Sequence, residues 1–305
     1  MDQQERQKWI AEIDATGAQR ETMFRARQIP AGYAAAPQRV AHFVQTLAVP
    51  EAGVPVDCHV FAAPGRAPGC PVHVNAHGGG FYFGRGEDDD RYCAALAEAI
   101  GGIVVDVDYA LSAQYAFPAA FEQCCAAVRW AFGQCGAWGA DEKRVSMGGQ
   151  SAGGTLTAAV ALRAAATREF ALCLQVLTYA ALDNATDPLR TPSGAEMPEA
   201  MVRRCRAFSA LYAGGDRNAL LSPFASPALA DDGMLDGAPP ALVITGGLCP
   251  FRFCDEAYAL RLAARGAPVT VRRFTQSRHG FTVRLMDEWQ ASQALIARAV
   301  REASL

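Results

Sequence analysis

The strongest indication of the fold is the stretch Gly149-Gln150-Ser151-Ala152-Gly153-Gly154. It follows a short apolar run at 145–148 and precedes a run of small residues that has helical character. A serine between glycines at a strand-to-helix turn is typical of a nucleophile elbow, because glycines permit a tight backbone and the hydroxyl stands at the helix N-terminus. Ser151 is therefore the candidate nucleophile, although the pattern alone also fits a serine in a glycine-rich turn.

The composition is that of a globular protein. Of the 305 residues, 51% are hydrophobic and 19% are charged, which is enough apolar material for one substantial core. The net charge is -3 with no long basic run, so neither nucleic acid nor an anionic membrane surface is an expected partner. No apolar stretch has the length of a membrane span, and residues 1–8 lack the apolar region of a signal peptide. We therefore expect a cytoplasmic protein whose 10 cysteines are reduced thiols.

Segments rich in Val, Ile and Leu recur along the chain and predict one sheet. The eight segments lie at about 40–49, 54–62, 71–76, 103–108, 145–149, 172–178, 241–246 and 269–274. From the third onward they alternate with helical stretches, which predicts a mostly parallel sheet with helices on both faces. The first two are joined by a short turn, and we expect them to pair antiparallel at one edge. The prediction is a single α/β domain over residues 1–305.

Two segments lie outside this alternation of strands and helices, and together they predict a helical cap. Residues 1–39 have helical character, and residues 184–221 hold one or two helices after the sixth strand. Amphipathic helices need a surface to pack on. We therefore expect both segments to meet above the carboxyl ends of the strands, where open α/β sheets bind ligands.

A glycine-rich turn follows the third strand and reads His77-Gly78-Gly79-Gly80-Phe81-Tyr82-Phe83-Gly84. Consecutive glycines let backbone N–H groups point into one concavity, which suits the negative oxygen of a tetrahedral acyl intermediate. A phosphate cradle is the competing interpretation, but the turn lacks the Gly-Lys-Ser/Thr ending and the G-x-G-x-x-G helix start. With an elbow further along the chain, an oxyanion hole is the favoured hypothesis.

The candidate base is His279. Of the five histidines it alone follows Ser151, and in hydrolases that carry a nucleophile elbow the base comes after the nucleophile. It lies in a loop just beyond the eighth strand, from which an imidazole can reach the edge of the sheet. A surface histidine without a catalytic role is the alternative.

Together these motifs resemble the hormone-sensitive-lipase family of bacterial α/β-hydrolase esterases. The matching stretches are, in order, His77–Gly80, Asp108–Leu111 with Phe117–Ala119, Gly149–Gly154, Ser222–Pro227 and Pro239–Gly246. The resemblance covers the chain from about residue 40 and implies the α/β-hydrolase fold with an eight-stranded, mostly parallel sheet.

What the resemblance implies about function is equally specific. The substrate is expected to be a small-molecule ester with a short or medium acyl chain, and no metal or organic cofactor is implied. The backbone N–H groups of Gly79, Gly80 and Ala152 would hold the oxyanion. Family members often pair through the edge of the eighth strand, so a homodimer is a further expectation.

The sequence departs from the family at three acidic positions. The family places its catalytic acid just after the seventh strand, where this chain has Cys249, and Gln150 and Gln114 also replace carboxylates. The acid holds the imidazole in the correct tautomer and stabilises the imidazolium that forms during attack. A thiol with a pKa of about 8.5 is mostly neutral and a weak acceptor, so Cys249 can perform little of this task.

Four explanations of Cys249 are open at this point. The acid has moved to Asp183 beyond the sixth strand, or Asp255 or Glu256 supplies it from about a turn and a half further on. Alternatively, the position is a natural or engineered inactivation, or the site carries out slower or different acyl chemistry. The resulting hypothesis is a serine carboxylic-ester hydrolase with an acyl-Ser151 intermediate and reduced or specialised activity. The alternatives on the same scaffold are a non-catalytic small-molecule binder and an acyltransferase.

The candidate substrate contacts are aromatic. Phe81 and Tyr82 follow the glycine turn, and Phe208 and Tyr212 lie in the second predicted cap segment. Their bulk suits apolar acyl or aryl groups. Packing inside the cap is an equally good interpretation of these four rings.

Overall fold

The computed structural model describes residues 1–25 and 28–304, with the side chains of 16–25 left outside the description. Eight strands of this part form one sheet in the order β1-β2-β4-β3-β5-β6-β7-β8. The strands are β1 (Ala41–Leu47), β2 (Val56–Ala62), β3 (Cys70–Ala76), β4 (Ile103–Asp108), β5 (Ala140–Gln150), β6 (Leu174–Thr178), β7 (Ala241–Gly246) and β8 (Val269–Phe274). The β1–β2 and β2–β4 pairs are antiparallel and all other neighbours are parallel. The predicted mostly parallel sheet with an antiparallel edge is confirmed.

Strand β5 begins earlier than the predicted segment 145–149. Its first residue, Ala140, pairs with Cys70 of β3 before the register shifts and the two strands continue together from Val72 and Val145. The first part of β5 is polar and partly exposed. The apolar residues therefore predicted only the buried, carboxyl-terminal half of β5. Backbone hydrogen bonds to β3 extend the strand towards its N-terminus.

Helices cover both faces of the sheet. They are α1 (Gln3–Arg25), α2 (Ala31–Ala34), α3 (Ala36–Arg39), α4 (Glu87–Ile100), α5 (Ala119–Trp138), α6 (Ala152–Thr167), α7 (Glu199–Tyr212), α8 (Arg252–Ala264) and α9 (Trp289–Glu302). Apolar residues of α4 and α9 pack with one set of strand residues, and those of α5, α6 and α8 pack with the other. Val243 and Ile244, neighbours in β7, belong to opposite sides, as the alternation of a strand requires.

Helices α1 and α7 pack against each other. Ile13 of α1 is fully buried with Ala207 and Leu211 of α7. The short helices α2 and α3 lie elsewhere, against α4 and β1, with Ala36 in the core beneath α4. Residues 1–39 therefore do not form one element, and residues 26–27 lie outside the described part. A cap built from 1–39 and 184–221 stays a prediction.

Two further features bear on the composition. All ten cysteines lie in the described part of the chain, and each is a free thiol. Among the helices of residues 1–25 and 28–304, none is long and apolar enough to cross a bilayer.

The tight packing around Gly153 gives a stability prediction. A Cβ added to Gly153 at the start of α6 would lie 1.8 Å from the carbonyl oxygen of Ala76 in β3. Since neither backbone can move aside without breaking the sheet, we expect Gly153→Ala to lower the free energy of unfolding by about 3 kcal/mol or more, measured by urea denaturation.

The matched control is Gly133→Ala in α5, where an added Cβ meets nothing within 4 Å. Replacing a glycine inside a helix by alanine stabilises it by up to about 1 kcal/mol. Equal unfolding free energies for the two variants would show that the contact at Gly153 is not a constraint.

Candidate active site

Ser151 lies at the turn between β5 and α6. Its φ of 56° and ψ of -116° are strained for a residue with a side chain. The turn is held by a hydrogen bond of 3.0 Å from the Ser151 N–H to the carbonyl oxygen of Thr178 at the end of β6. This backbone presents the hydroxyl at the N-terminus of α6, at the carboxyl ends of the strands, as the sequence predicts.

The imidazole of His279 faces this hydroxyl. Its Nε2 lies 3.0 Å from the Oγ of Ser151. The rings of Tyr179 and Phe251 stand edge-on to the imidazole, each with a centroid distance of 5.1 Å. These two aromatic residues fix the plane of the imidazole, and sequence reasoning did not find them because neither belongs to a motif with a known side-chain role.

A thiol occupies the other side of the imidazole. The Sγ of Cys249 lies 3.2 Å from the Nδ1 of His279, and the side chain is fully buried. Burial raises the pKa of the Cys249 thiol well above its ordinary value, the negative charge of Asp255 adds to this, and the backbone N–H of Phe251 opposes it. The group at Nδ1 is therefore a neutral thiol at neutral pH.

The alternative acids have other contacts. Asp183 uses Oδ1 to accept two backbone N–H groups of its own turn, at 3.0 and 2.9 Å. Glu256 pairs with Arg273, with 2.8 Å between its Oε1 and the Nε. Asp255 is fully buried, and burial raises the pKa of its carboxyl well above the ordinary value, which disfavours the charged form that a catalytic acid partner of His279 needs. The predicted acid position at Cys249 is thus the one that the structure places against Nδ1.

The glycine turn lies directly beside the elbow. A Cβ added to Gly78 would be 3.6 Å from the Cβ of Ser151. The turn is supported from below by Tyr109, whose ring stacks on His77 at 4.1 Å and whose hydroxyl donates to the carbonyl oxygen of His77 at 2.8 Å. Two contacts of Tyr109 thus support the backbone next to the candidate nucleophile.

The three predicted oxyanion donors belong to these two neighbouring segments. Gly79 and Gly80 have φ values of 142° and 64°, which only glycine adopts without strain. Ala152 is the first residue of α6, and an N–H at that position has no partner within the helix. All three N–H groups thus come from segments that flank the Ser151 hydroxyl.

The predicted aromatic contacts divide into two pairs. Phe81 and Tyr212 stack on each other at 3.7 Å and are only 2% and 1% exposed, so these rings act as packing beneath the turn. Tyr82 and Phe208 are half-buried. A Cβ added to Gly80 would lie 2.6 Å from the ring of Phe208, which places this α7 side chain directly on the glycine turn.

The two glutamines found at family acid positions have different surroundings. Gln114 is exposed in a turn. Gln150 is buried, and its Nε2 donates to the Oδ1 of Asn75 at 3.0 Å. The Nδ2 of Asn75 in turn donates to the Oδ1 of Asp106 at 2.6 Å. Gln150 is therefore part of a buried polar chain.

Comparisons with known proteins agree with this fold. A family model described as alpha/beta hydrolase fold matches residues 73–283. Esterase LipI of Mycobacterium tuberculosis is 36% identical over 214 residues, which cover 69% of this chain and 65% of LipI. Hormone-sensitive lipase of Homo sapiens is 39% identical over 93 residues, which cover 30% of this chain and 9% of the lipase.

A solved structure extends the likeness to the whole chain. The hyperthermophilic esterase of Pyrobaculum calidifontis superposes with a TM-score of 0.78 at 29% identity, covering 99% of this chain and 98% of that one. The alignment with LipI spans slightly less than two thirds of that relative. Since the family model matches well over half of the sequence, this chain belongs to the α/β-hydrolase fold family, in the group of esterases related to hormone-sensitive lipase.

Proposed function

We propose that this protein is a serine carboxylic-ester hydrolase for short or medium acyl or aryl esters, acting through an acyl-Ser151 intermediate. The observation that carries the proposal is the distance of 3.0 Å between the Oγ of Ser151 and the Nε2 of His279. A hydroxyl paired with an imidazole in this way is the arrangement of an activated nucleophile. The esterase relatives favour the same class of substrate.

The geometry supports a two-step reaction. The Oγ of Ser151 attacks the ester carbonyl carbon while Nε2 of His279 takes the hydroxyl proton. The N–H groups of Gly79, Gly80 and Ala152 stabilise the negative oxygen of the tetrahedral intermediate. The imidazolium then gives its proton to the leaving alcohol, and water repeats the sequence to release the acid and the free serine.

The thiol of Cys249 limits the first step. The productive tautomer of His279 carries its proton on Nδ1, donates it towards the sulfur and leaves Nε2 free to accept from Ser151. A neutral thiol can also donate its own proton to Nδ1, which places a proton on Nε2 and prevents it from acting as a base. A carboxylate excludes this second arrangement, because it only accepts.

The rate lost without a carboxylate at Nδ1 determines how much activity remains. Disabling the acid of a serine protease triad costs on the order of 10⁴-fold in rate, about 5 kcal/mol, while the oxyanion hole and binding still accelerate the reaction. We therefore propose a slow esterase whose remaining catalysis rests on Ser151, His279 and the backbone donors.

Ser151→Ala should reduce hydrolysis of p-nitrophenyl acetate and butyrate to near the rate without enzyme, because Ser151 is the nucleophile that the proposed mechanism places at Nε2 of His279. The same substitution should abolish labelling by a fluorophosphonate, which reacts readily only with an activated serine. Ser304→Ala, an exposed serine beyond α9, is the matched control and should behave as the parent. Undiminished hydrolysis by Ser151→Ala would refute the mechanism, and a parent that neither hydrolyses nor labels would favour a ligand-binding role.

Cys249→Asp should raise kcat/KM for p-nitrophenyl butyrate by about 10²-fold to 10⁴-fold. The carboxylate would accept from Nδ1 of His279, hold the productive tautomer and stabilise the imidazolium. Steady-state kinetics of the purified variant measure the gain.

Cys249→Asn is the control, since asparagine has the shape of aspartate without its charge or its restriction to accepting. It should show no such gain. Equal rates for the aspartate and asparagine variants would mean that the imidazole receives its counter-charge from another group.

Phe208→Ala should widen the space over the glycine turn and raise KM for p-nitrophenyl butyrate more than for the acetate, by about 5-fold to 10-fold. The reason is that the half-buried ring of Phe208 is proposed to contact the acyl chain. Phe43→Ala removes a ring that is 45% exposed on the edge strand β1 and should leave both KM values unchanged. A uniform effect of Phe208→Ala on acetate and butyrate would contradict acyl contact.

A further inference from the structure

A second cluster of chemically active side chains lies at the antiparallel edge of the sheet, with β4 and β3 between it and the strand that ends before Ser151. His42 of β1, His59 of β2 and Asp90 of α4 each offer one ligand atom, and these atoms all lie within 4.8 Å of one another. Since Val44 pairs with His59 and His42 with Phe61, the two histidines are diagonal neighbours on the same face of the antiparallel edge. Three elements of the fold thus contribute one metal-binding side chain each.

The distance between the two imidazoles fits a shared metal ion. The Nε2 of His42 lies 3.3 Å from the Nδ1 of His59. Two nitrogens that bind one zinc ion at about 2.0–2.1 Å with a tetrahedral angle are about 3.3–3.4 Å apart. The ring of His42 also stacks on Phe61 at 4.5 Å, which restrains it near this position. Each ring would rotate so that its lone pair points at the shared ion instead of at the other nitrogen.

The contact with Arg85 shows which ring nitrogen of His59 carries the proton that a metal ion would replace. Its Nη1 lies 3.4 Å from the Nε2 of His59, and a guanidinium only donates, so Nε2 accepts and the proton of His59 is on Nδ1. That proton points at the Nε2 of His42. A metal ion would take the place of this proton between the two nitrogens.

The local charge favours a cation despite Arg85. The guanidinium is paired with Asp90 at 2.6 Å and with the fully buried Asp106 at 3.0 Å. The first turn of α4 is the acidic run Glu87–Asp90, of which Glu87 and Asp88 are paired with other arginines, while Asp90 and Asp106 together outnumber the guanidinium of Arg85. On metal binding, Arg85 would give up His59 and Asp90 and keep its pair with Asp106, which leaves no buried charge without a partner.

We propose that His42, His59 and Asp90 bind one divalent transition-metal ion of the zinc type, with water completing its coordination. Two imidazole nitrogens and a carboxylate suit Zn²⁺, Co²⁺ or Ni²⁺, whereas Mg²⁺ and Ca²⁺ prefer oxygen ligands. The ion would join the edge strand β1 to β2 and α4. It is separate from the ester-hydrolysing site and independent of the proposed function.

Zinc titration of tag-free protein tests the proposal. Isothermal titration calorimetry, with metal content checked by mass spectrometry after dialysis, should find one Zn²⁺ per chain. The thermal midpoint should rise with Zn²⁺ concentration, because binding to the folded state alone stabilises it, and Mg²⁺ should produce no rise. His42→Asn and His59→Asn should each weaken Zn²⁺ binding about 10-fold or more.

The active-site pair of His279 and Cys249 is the competing location for an ion, so His279→Asn is the matched control. This variant should still bind one Zn²⁺ with the affinity of the parent. Loss of the ion in His279→Asn, parental affinity in His42→Asn, or no binding up to about 1 mM Zn²⁺ would each overturn the proposal. His42 is exposed on an edge strand, so His42→Asn tests the site even where His59→Asn fails to fold.

Discussion

Close backbone packing at the elbow is the constraint from which the site follows. Gly153 of α6 lies against the carbonyl oxygen of Ala76 at the end of β3, and Gly149 of β5 lies against Gly153, so that an added Cβ would come within 2.2 Å of its oxygen. Because no side chain separates these segments, β3, β5 and α6 meet at one point. The proposed nucleophile Ser151 lies between β5 and α6, and the glycine turn continues β3. The contact thus brings the hydroxyl and the backbone donors together before any side-chain interaction is considered.

The electrostatics of the site depend on what is buried beside the imidazole. A buried carboxylate at position 249 would require strong hydrogen bonds to offset its desolvation, whereas the thiol of Cys249 is neutral and buried without that penalty. Burial also raises the pKa of the Asp255 carboxyl and so disfavours its charged form. The interior behind His279 therefore supplies little negative charge to an imidazolium. This arrangement favours stability of the folded chain over stabilisation of the charged state that ester attack requires.

Sequence patterns predicted the elements whose burial is periodic and missed those set by tertiary contacts. Apolar runs predicted the eight strands and the antiparallel pairing of the first two. They did not predict the polar start of β5, or that α2 and α3 pack against α4 and β1. In the candidate site, motif spacing located the elbow, the candidate base His279 and position 249. It could not choose between Cys249 and Asp183 as the neighbour of His279, because that choice depends on the path of two loops in space. Nor could it find Tyr179 and Phe251, whose role lies in the direction that their rings face.

The replaced acids at positions 150 and 249 differ in physical meaning. Gln150 donates to Asn75, which donates to Asp106, which pairs with Arg85, and these residues cross adjacent strands of the sheet. A carboxylate at position 150 could not donate to the oxygen of Asn75, and it would add a further negative charge to a network in which Asp90 and Asp106 already pair with Arg85. The Nε2 of Gln150 is thus matched to the oxygen of Asn75. Cys249 differs, because its partner is the imidazole of His279. The thiol lies where an acid would lie, but it does not supply the negative charge that an acid provides there.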